Sequence, residues 1–250
     1  MNRYPGGRIQ SIDALRGLCV VLMCAHHLLY DLAAFLGAPW WIFTNPVLDV
    51  LHYVFAGCFI LLSGVSSRFS HSNVLRGLKV LGIALALSLV TWLGDRLGER
   101  LLGETPGIFI QFGVLHLLGF CMLFYGLTHK LWDRLPDWLA PALYLLLTVL
   151  TAFLTNGAYV TESRWLFPLG LLYEGFASAD FFPILPWLFV FLLGTWAGDK
   201  VRAGKLPGWF YRFSPPFFPA VGRRALLIYV LHQPVLAGLT LLVGVIFGIL

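Results

Sequence analysis

The sequence predicts an all-α, polytopic membrane protein: one domain over residues 1–250, built as a bundle of about seven transmembrane helices, with the N-terminus in the cytoplasm. Three observations carry this. First, 59% of the 250 residues are hydrophobic and only 12% are charged, with a mean hydropathy of +0.82, far from the composition of a soluble domain. Second, seven apolar runs are long enough to span a bilayer: 12–36, 46–67, 74–94, 108–128, 138–156, 181–199 and 225–249. They lack the short alternating pattern of a transmembrane β-barrel. Third, with the N-terminus inside, every one of the 17 Lys and Arg residues except Arg96, Arg100 and Arg164 falls on the cytoplasmic side, the bias that orients membrane proteins.

The net charge of +5 therefore reads as topology. Its basic residues are divided among membrane-flanking loops and form no continuous face for nucleic acid. Cys19, Cys24, Cys58 and Cys121 sit inside predicted helices without paired short spacing, so they read as small buried residues and predict neither disulfides nor a metal. Asp13 and Arg16 interrupt the N-terminal run, and no small-residue cleavage site follows. The first helix is expected to stay in the mature chain.

Taken in order, the first helix leads to the loop GAPWWIFTNP, whose tryptophans suit a membrane interface. The second carries Asp49 and His52 near its outer end and finishes with Ser63, Gly64, Ser66 and Ser67, small residues that permit close helix packing. Arg76 and Lys79 open the third, which runs out to the charged stretch GDRLGERLLGETPG, a solvated surface. The fourth holds Gln111 and His116, readable either as interhelical hydrogen bonding or as part of a site. The fifth has nothing ionisable. Before the sixth lies NGAYVTESRWLFPLGLLYEGFASAD, whose apolar centre is too short to span and suits a re-entrant or interfacial piece. The sixth starts near Pro183 and Pro186, where a missing N–H costs little. A basic, aromatic loop then leads to Arg223 and Arg224, and the seventh helix carries His232, Gln233 and Pro234. That trio suits a polar notch in the membrane better than a structural turn.

The first helix is the unusual one. At ~100° per residue Asp13 and Asp31 point the same way, Arg16 lies ~60° from them and His27 ~40°. Those four residues share one stripe. His26 falls ~140° away, and His27 stands ~16 Å along the axis from Arg16, near mid-membrane if Arg16 marks the headgroup boundary. Ionisable groups at such depth face a protein interior or a water-filled path.

RIQSIDALRGLCVVLMCAHHLLYDL, FGVLHLLGF, ADFFPILPWLFVFLLGTWAG and VGRRALLIYVLHQPVL together resemble the bacterial branch of the heparan-alpha-glucosaminide N-acetyltransferase catalytic-domain family. That family falls within the transmembrane acyltransferases, which include the type 3 sugar O-acyltransferases. The resemblance spans nearly the whole chain. It implies transfer of an acyl group, usually acetyl from cytoplasmic acetyl-CoA, to a sugar hydroxyl or amine on the far side. In the type 3 enzymes an arginine followed after ten residues by a histidine marks the first helix, and here that pairing falls on Arg16 and His27. The chain departs from the pattern in one place. Family members that acetylate glucosamine carry a histidine in a longer outer loop, where this chain has Thr44 or Asn45 and no histidine before His52.

The expected mechanism is acyl transfer through His27 as general base or transient acyl carrier, oriented by Asp31, with Arg16 stabilising negative charge. His116 and His232 complete the catalytic set. Arg8, Asp13, Arg76, Lys79, Arg223 and Arg224 are the candidates for holding coenzyme A, and Asp49, His52, Asp180 and Gln233 for meeting the acceptor. The expected setting is the bacterial cytoplasmic membrane, with an extracytoplasmic glycan or lipid as acceptor, no metal, no nucleic acid, and a homodimer compatible with so small a bundle. Two other classes also fit the stripe: a small proton-coupled transporter with His27, His116 and His232 as relay groups, and a scaffold whose polar residues only pair with one another.

Overall fold

The computed structural model describes residues 8–155 and 160–249. Arg3 of the charge tally and residues 156–159, where the fifth run ends and its following loop begins, lie outside them. The described residues form nine α-helices: α1 (Gln10–Leu36), α2 (Pro46–Ser67), α3 (Asn73–Leu102), α4 (Val114–Trp132), α5 (Leu139–Leu154), α6 (Ile184–Arg202), α7 (Gly208–Arg212), α8 (Phe218–Arg223) and α9 (Ala225–Ile246). Six of them, α1, α2, α3, α4, α6 and α9, are long and apolar enough to cross a membrane. The run expected at 138–156 gives α5, of 16 residues, which at ~1.5 Å per residue reaches ~24 Å and stops short of the ~30 Å hydrocarbon core.

The chain packs as two compact units, Met1–Leu62 with Gly204–Leu250, and Ser63–Ala203. In the first, α1 lies against α8 and α9. The α1–α8 approach is backbone on backbone: a Cβ on Gly17 would strike the carbonyl oxygen of Phe218, and one on Gly222 the carbonyl oxygen of Asp13. Small residues of this kind drive helix association where lipid removes the hydrophobic incentive. α1 stops at Gly37, whose φ of 68° suits a residue without a Cβ, and the Ala38 amide then reaches back to the Leu32 carbonyl at 3.1 Å, closing the helix end.

In the second unit α3 packs on α4, α5 on α6, and α4 on α6. Arg68, just past the end of α2, ties it together. Its guanidinium grips Asp133 through Nη1 at 2.8 Å and Nη2 at 2.6 Å, approaches Asp199 at 2.5 Å, and donates from Nε to the Thr195 carbonyl at 3.1 Å. It also lies over the Tyr125 ring, 5.3 Å from the centroid. Burial alone would lower the Arg68 pKa, but the bond to Asp133 and the fields of Tyr125 and Asp199 push it up.

The fourth apolar run starts later as a helix than its composition suggests. Residues 108–113 are not helical, and α4 begins only at Val114. Side chains supply the acceptors that the helix would have supplied. Asp95 accepts from the amides of Ile108 (2.9 Å) and Phe109 (3.1 Å), Thr91 from Ile110 (3.2 Å) and Ser178 from Gln111 (3.0 Å). The Ala179 and Phe182 amides donate in turn to the carbonyls of Phe109 and Phe112. Irregular backbone is tolerated in a membrane protein where such bonds satisfy it inside the protein. Residues 160–183, ahead of α6, are likewise irregular, with a short turn at Phe167–Leu169.

Candidate active site

Eleven of the fifteen residues singled out from the sequence lie in the first unit: Arg8, Asp13, Arg16, His27, Asp31, Asp49, His52, Arg223, Arg224, His232 and Gln233. Most of them gather at two levels of α1. At its start, Asp13 is 3% exposed and takes two arginines: Arg16 Nη1 at 2.9 Å, and Arg8 through Nε at 2.5 Å and Nη2 at 3.3 Å. The bond to Asp13 raises the pKa of Arg8, with burial opposing. Gly222 of α8 presses on the Asp13 backbone, and the next two residues are Arg223 and Arg224, both exposed. Two guanidiniums thus hold the one carboxylate, and two more follow in sequence on the element packed against its backbone, an excess of positive charge that suits an anion.

Further along, the stripe of α1 meets the notch of α9. The rings of His27 and His232 stand 4.8 Å apart at 61°. One turn on, Gln233 Nε2 donates to Asp31 Oδ1 at 2.8 Å. Asp31 is fully buried, and its Oδ2 has no hydrogen-bond partner among the described residues, nor has Gln233 Oε1. The carboxylate was expected to orient His27, but its hydrogen bond goes across to α9. The reason is distance: residues four apart on one helix stand ~6 Å apart along the axis, while Gln233 brings an N–H donor to within 2.8 Å of the short Asp side chain. His232 itself is set by its own helix. Nδ1 lies 2.6 Å from the Tyr229 carbonyl, which fixes the proton on Nδ1 and makes Nε2 the basic nitrogen of the neutral ring.

The sequence put His26 away from the stripe, and the structure gives that side a partner. Its ring lies 4.6 Å from that of His52 on α2, 4.8 Å from Phe43 and 6.0 Å from His27. The sequence held a signal for this pairing. The α1–α2 connection is short, and His26 and His52 both fall within a few turns of it. Asp49 is exposed on the first turn of α2.

The remaining candidates belong to the second unit. His116 is engaged at both nitrogens: Nδ1 accepts from the Gly113 amide at 3.2 Å, and Nε2 lies 3.2 Å from Ser88 Oγ, whose hydroxyl donates to the Ile110 carbonyl at 2.6 Å. Asp180 accepts from the Val114 amide at 3.0 Å. Both thereby satisfy orphan amides where α4 begins. Arg76 Nη1 points to the Ser66 carbonyl at 3.4 Å, and Lys79 is exposed. Among the described residues no group of three or more His, Cys, Asp or Glu could hold a metal ion.

Residues 8–234 match the family model described as heparan-alpha-glucosaminide N-acetyltransferase, catalytic. The chain belongs to that family. It is accordingly a membrane-embedded acetyltransferase, an integral membrane protein whose matched region takes in both packing units. No curated protein and no solved structure matches the chain.

Proposed function

We propose that this acetyltransferase takes its acetyl group from acetyl-CoA on the cytoplasmic face and delivers it to a glycan or glycolipid on the opposite face of a bacterial cytoplasmic membrane, the two packing units acting as one domain. The observation that carries this is the arrangement along α1: a cluster of arginines where the helix starts, and a half-buried imidazole pair ~16 Å further along the axis. The arginines would hold the anionic donor, with Arg223 and Arg224 free in solvent to meet phosphates and Arg16 nearest the thioester. His27 would take the proton of the acceptor hydroxyl or amine, or carry the acetyl group in passing. His232, packed on it, and the Asp31–Gln233 bond fix the α1–α9 seam at the depth where the reaction must occur. Asp49, exposed at the start of α2, would meet the acceptor.

The charge bias of the loops supports this direction, since it puts the start of α1 and the Arg223–Arg224 pair on the cytoplasmic side. The absence of the outer-loop histidine separates the acceptor from heparan-type amino sugars and favours hydroxyl acceptors. The test is transfer of labelled acetyl from acetyl-CoA to glycans on the other side of proteoliposomes. His27→Ala should lower the rate by ~10²-fold or more. Full activity in that variant, or transfer that needs no acyl-CoA, would refute it.

A further inference from the structure

The adjacent histidines of α1 serve two different helices. His27 faces His232 on α9, His26 faces His52 on α2, and the two join through a ring separation of 6.0 Å. The series His232, His27, His26, His52 is a run of four imidazoles with neighbouring centroids 4.6–6.0 Å apart. Nitrogens ~3 Å apart put two imidazole centroids no more than ~5.3 Å apart, so His27–His232 and His26–His52 lie within direct reach while the 6.0 Å step between His26 and His27 calls for one bridging water. His26 Nδ1 is buried and has no hydrogen-bond partner among the described residues, so the middle of the series keeps a nitrogen uncommitted. Its far member, His52, stands one turn from the exposed carboxylate of Asp49. Nothing in acyl transfer by His27 alone requires the second pair.

We propose that His26 and His52 form a proton relay that carries the proton taken up at His27 to the membrane face at the start of α2, beside Asp49. This rests on the acyl-transfer function proposed above, and the balance of that reaction calls for it. The acceptor O–H bond and the C–S bond break, and the new C–O bond forms. Coenzyme A leaves as a thiolate, which takes its proton from water on the donor face. The acceptor's proton is left on His27, deep in the membrane, and must leave before the next turnover. The His26–His52 pair leads it to the acceptor face, so each acetyl moved should release one proton there and consume one on the donor face. His26 and His52 act through His27 and are positioning and relay residues.

The experiment uses the full chain in lipid with its histidine rings labelled with nitrogen-15, and compares it with His52→Phe, which keeps a ring in place, and with Phe55→Leu, which alters the same ring cluster without touching a nitrogen. If the four imidazoles share protons, His52→Phe shifts the ring nitrogens and changes the tautomer populations of His27 and His232 as well as those of His26, while Phe55→Leu disturbs only His26 and His52. Changes confined to His26 in the His52→Phe protein overturn the relay. In proteoliposomes, pH dyes on both faces should count one proton released per acetyl on the acceptor face, and His26→Phe should slow transfer by about a hundredfold. Transfer at the native rate in His26→Phe also overturns the relay, and leaves acyl transfer standing. Coupled imidazoles in a protein that moves no acetyl to any acceptor overturn acyl transfer and the relay's cargo with it, leaving only the coupling of the rings.

Discussion

The bond between Asp31 and Gln233 allows the seam of the site to be weighed. Hydrogen bonds between neutral side chains of neighbouring membrane helices contribute ~0.6 kcal/mol on average and at most ~1.7, and an ionised partner roughly doubles such a bond. Asp31 is fully buried, and Gln233 supplies the hydrogen bond to Oδ1 while Oδ2 has none among the described residues. Gln233→Leu therefore leaves a buried carboxylate without a donor, at a cost of about 2–3 kcal/mol. Asp31→Asn keeps an oxygen that can accept and should cost less than about 1 kcal/mol, and adding Gln233→Leu to it should cost a further ~0.6. The coupling in this double-mutant cycle is then roughly 1.4–2.4 kcal/mol. Reversible unfolding by dodecyl sulfate in mixed micelles, followed by circular dichroism, measures each corner. A coupling within about 0.3 kcal/mol of zero would mean that the bond does not hold α1 to α9.

Three other perturbations have defined outcomes. Gly222→Val drives a side chain into the Asp13 carbonyl and should destabilise the first unit by about 1–3 kcal/mol, seen as a lower melting temperature in detergent. Arg68→Lys keeps the charge but cannot reproduce the paired bonds to Asp133, the contact with Asp199 and the seat over Tyr125. Because the side chains of Asp133 and Asp199 are 32% and 45% exposed, solvent screening limits the loss to about 1–2 kcal/mol in the same unfolding assay. His116→Ala removes the acceptor of the Gly113 amide and should cost ~1 kcal/mol, with faster hydrogen exchange in the first turn of α4.

How much of this was legible in the sequence depended on whether a feature was local. The stripe of Asp13, Arg16, His27 and Asp31 follows from helical periodicity alone, and the structure turns its His27 and Asp31 toward α9. The spans of α1, α2 and α9 are nearly as their apolar runs suggest, because nothing competes with the helix there. The run from Ile108 misled for the opposite reason. Its composition is as apolar as any span, but Asp95, Thr91 and Ser178, 13 to 67 positions away, accept its amides and make extended backbone affordable. No local pattern reveals such donors and acceptors. His116 was ambiguous on the same grounds: whether a lone imidazole caps a helix or serves a reaction depends on Ser88 and on the carbonyl of Ile110, neither adjacent to it in sequence.

The adjacency of His26 and His27 has a geometric basis that bears on the relay. Consecutive helical residues diverge by ~100° but differ in depth by only ~1.5 Å. Histidines three or four apart would share one face and one neighbouring helix, ~5 Å apart along the axis. To present imidazoles to two different helices at one depth, a single helix has to use neighbouring positions, and α1 does so with α9 on one side and α2 on the other. A helix packed only for stability has no need of that arrangement, since one polar residue per interface satisfies each seam. Two rings at one level, each with an imidazole partner on a different helix, form a path across α1, and a path is what a proton stranded at His27 requires.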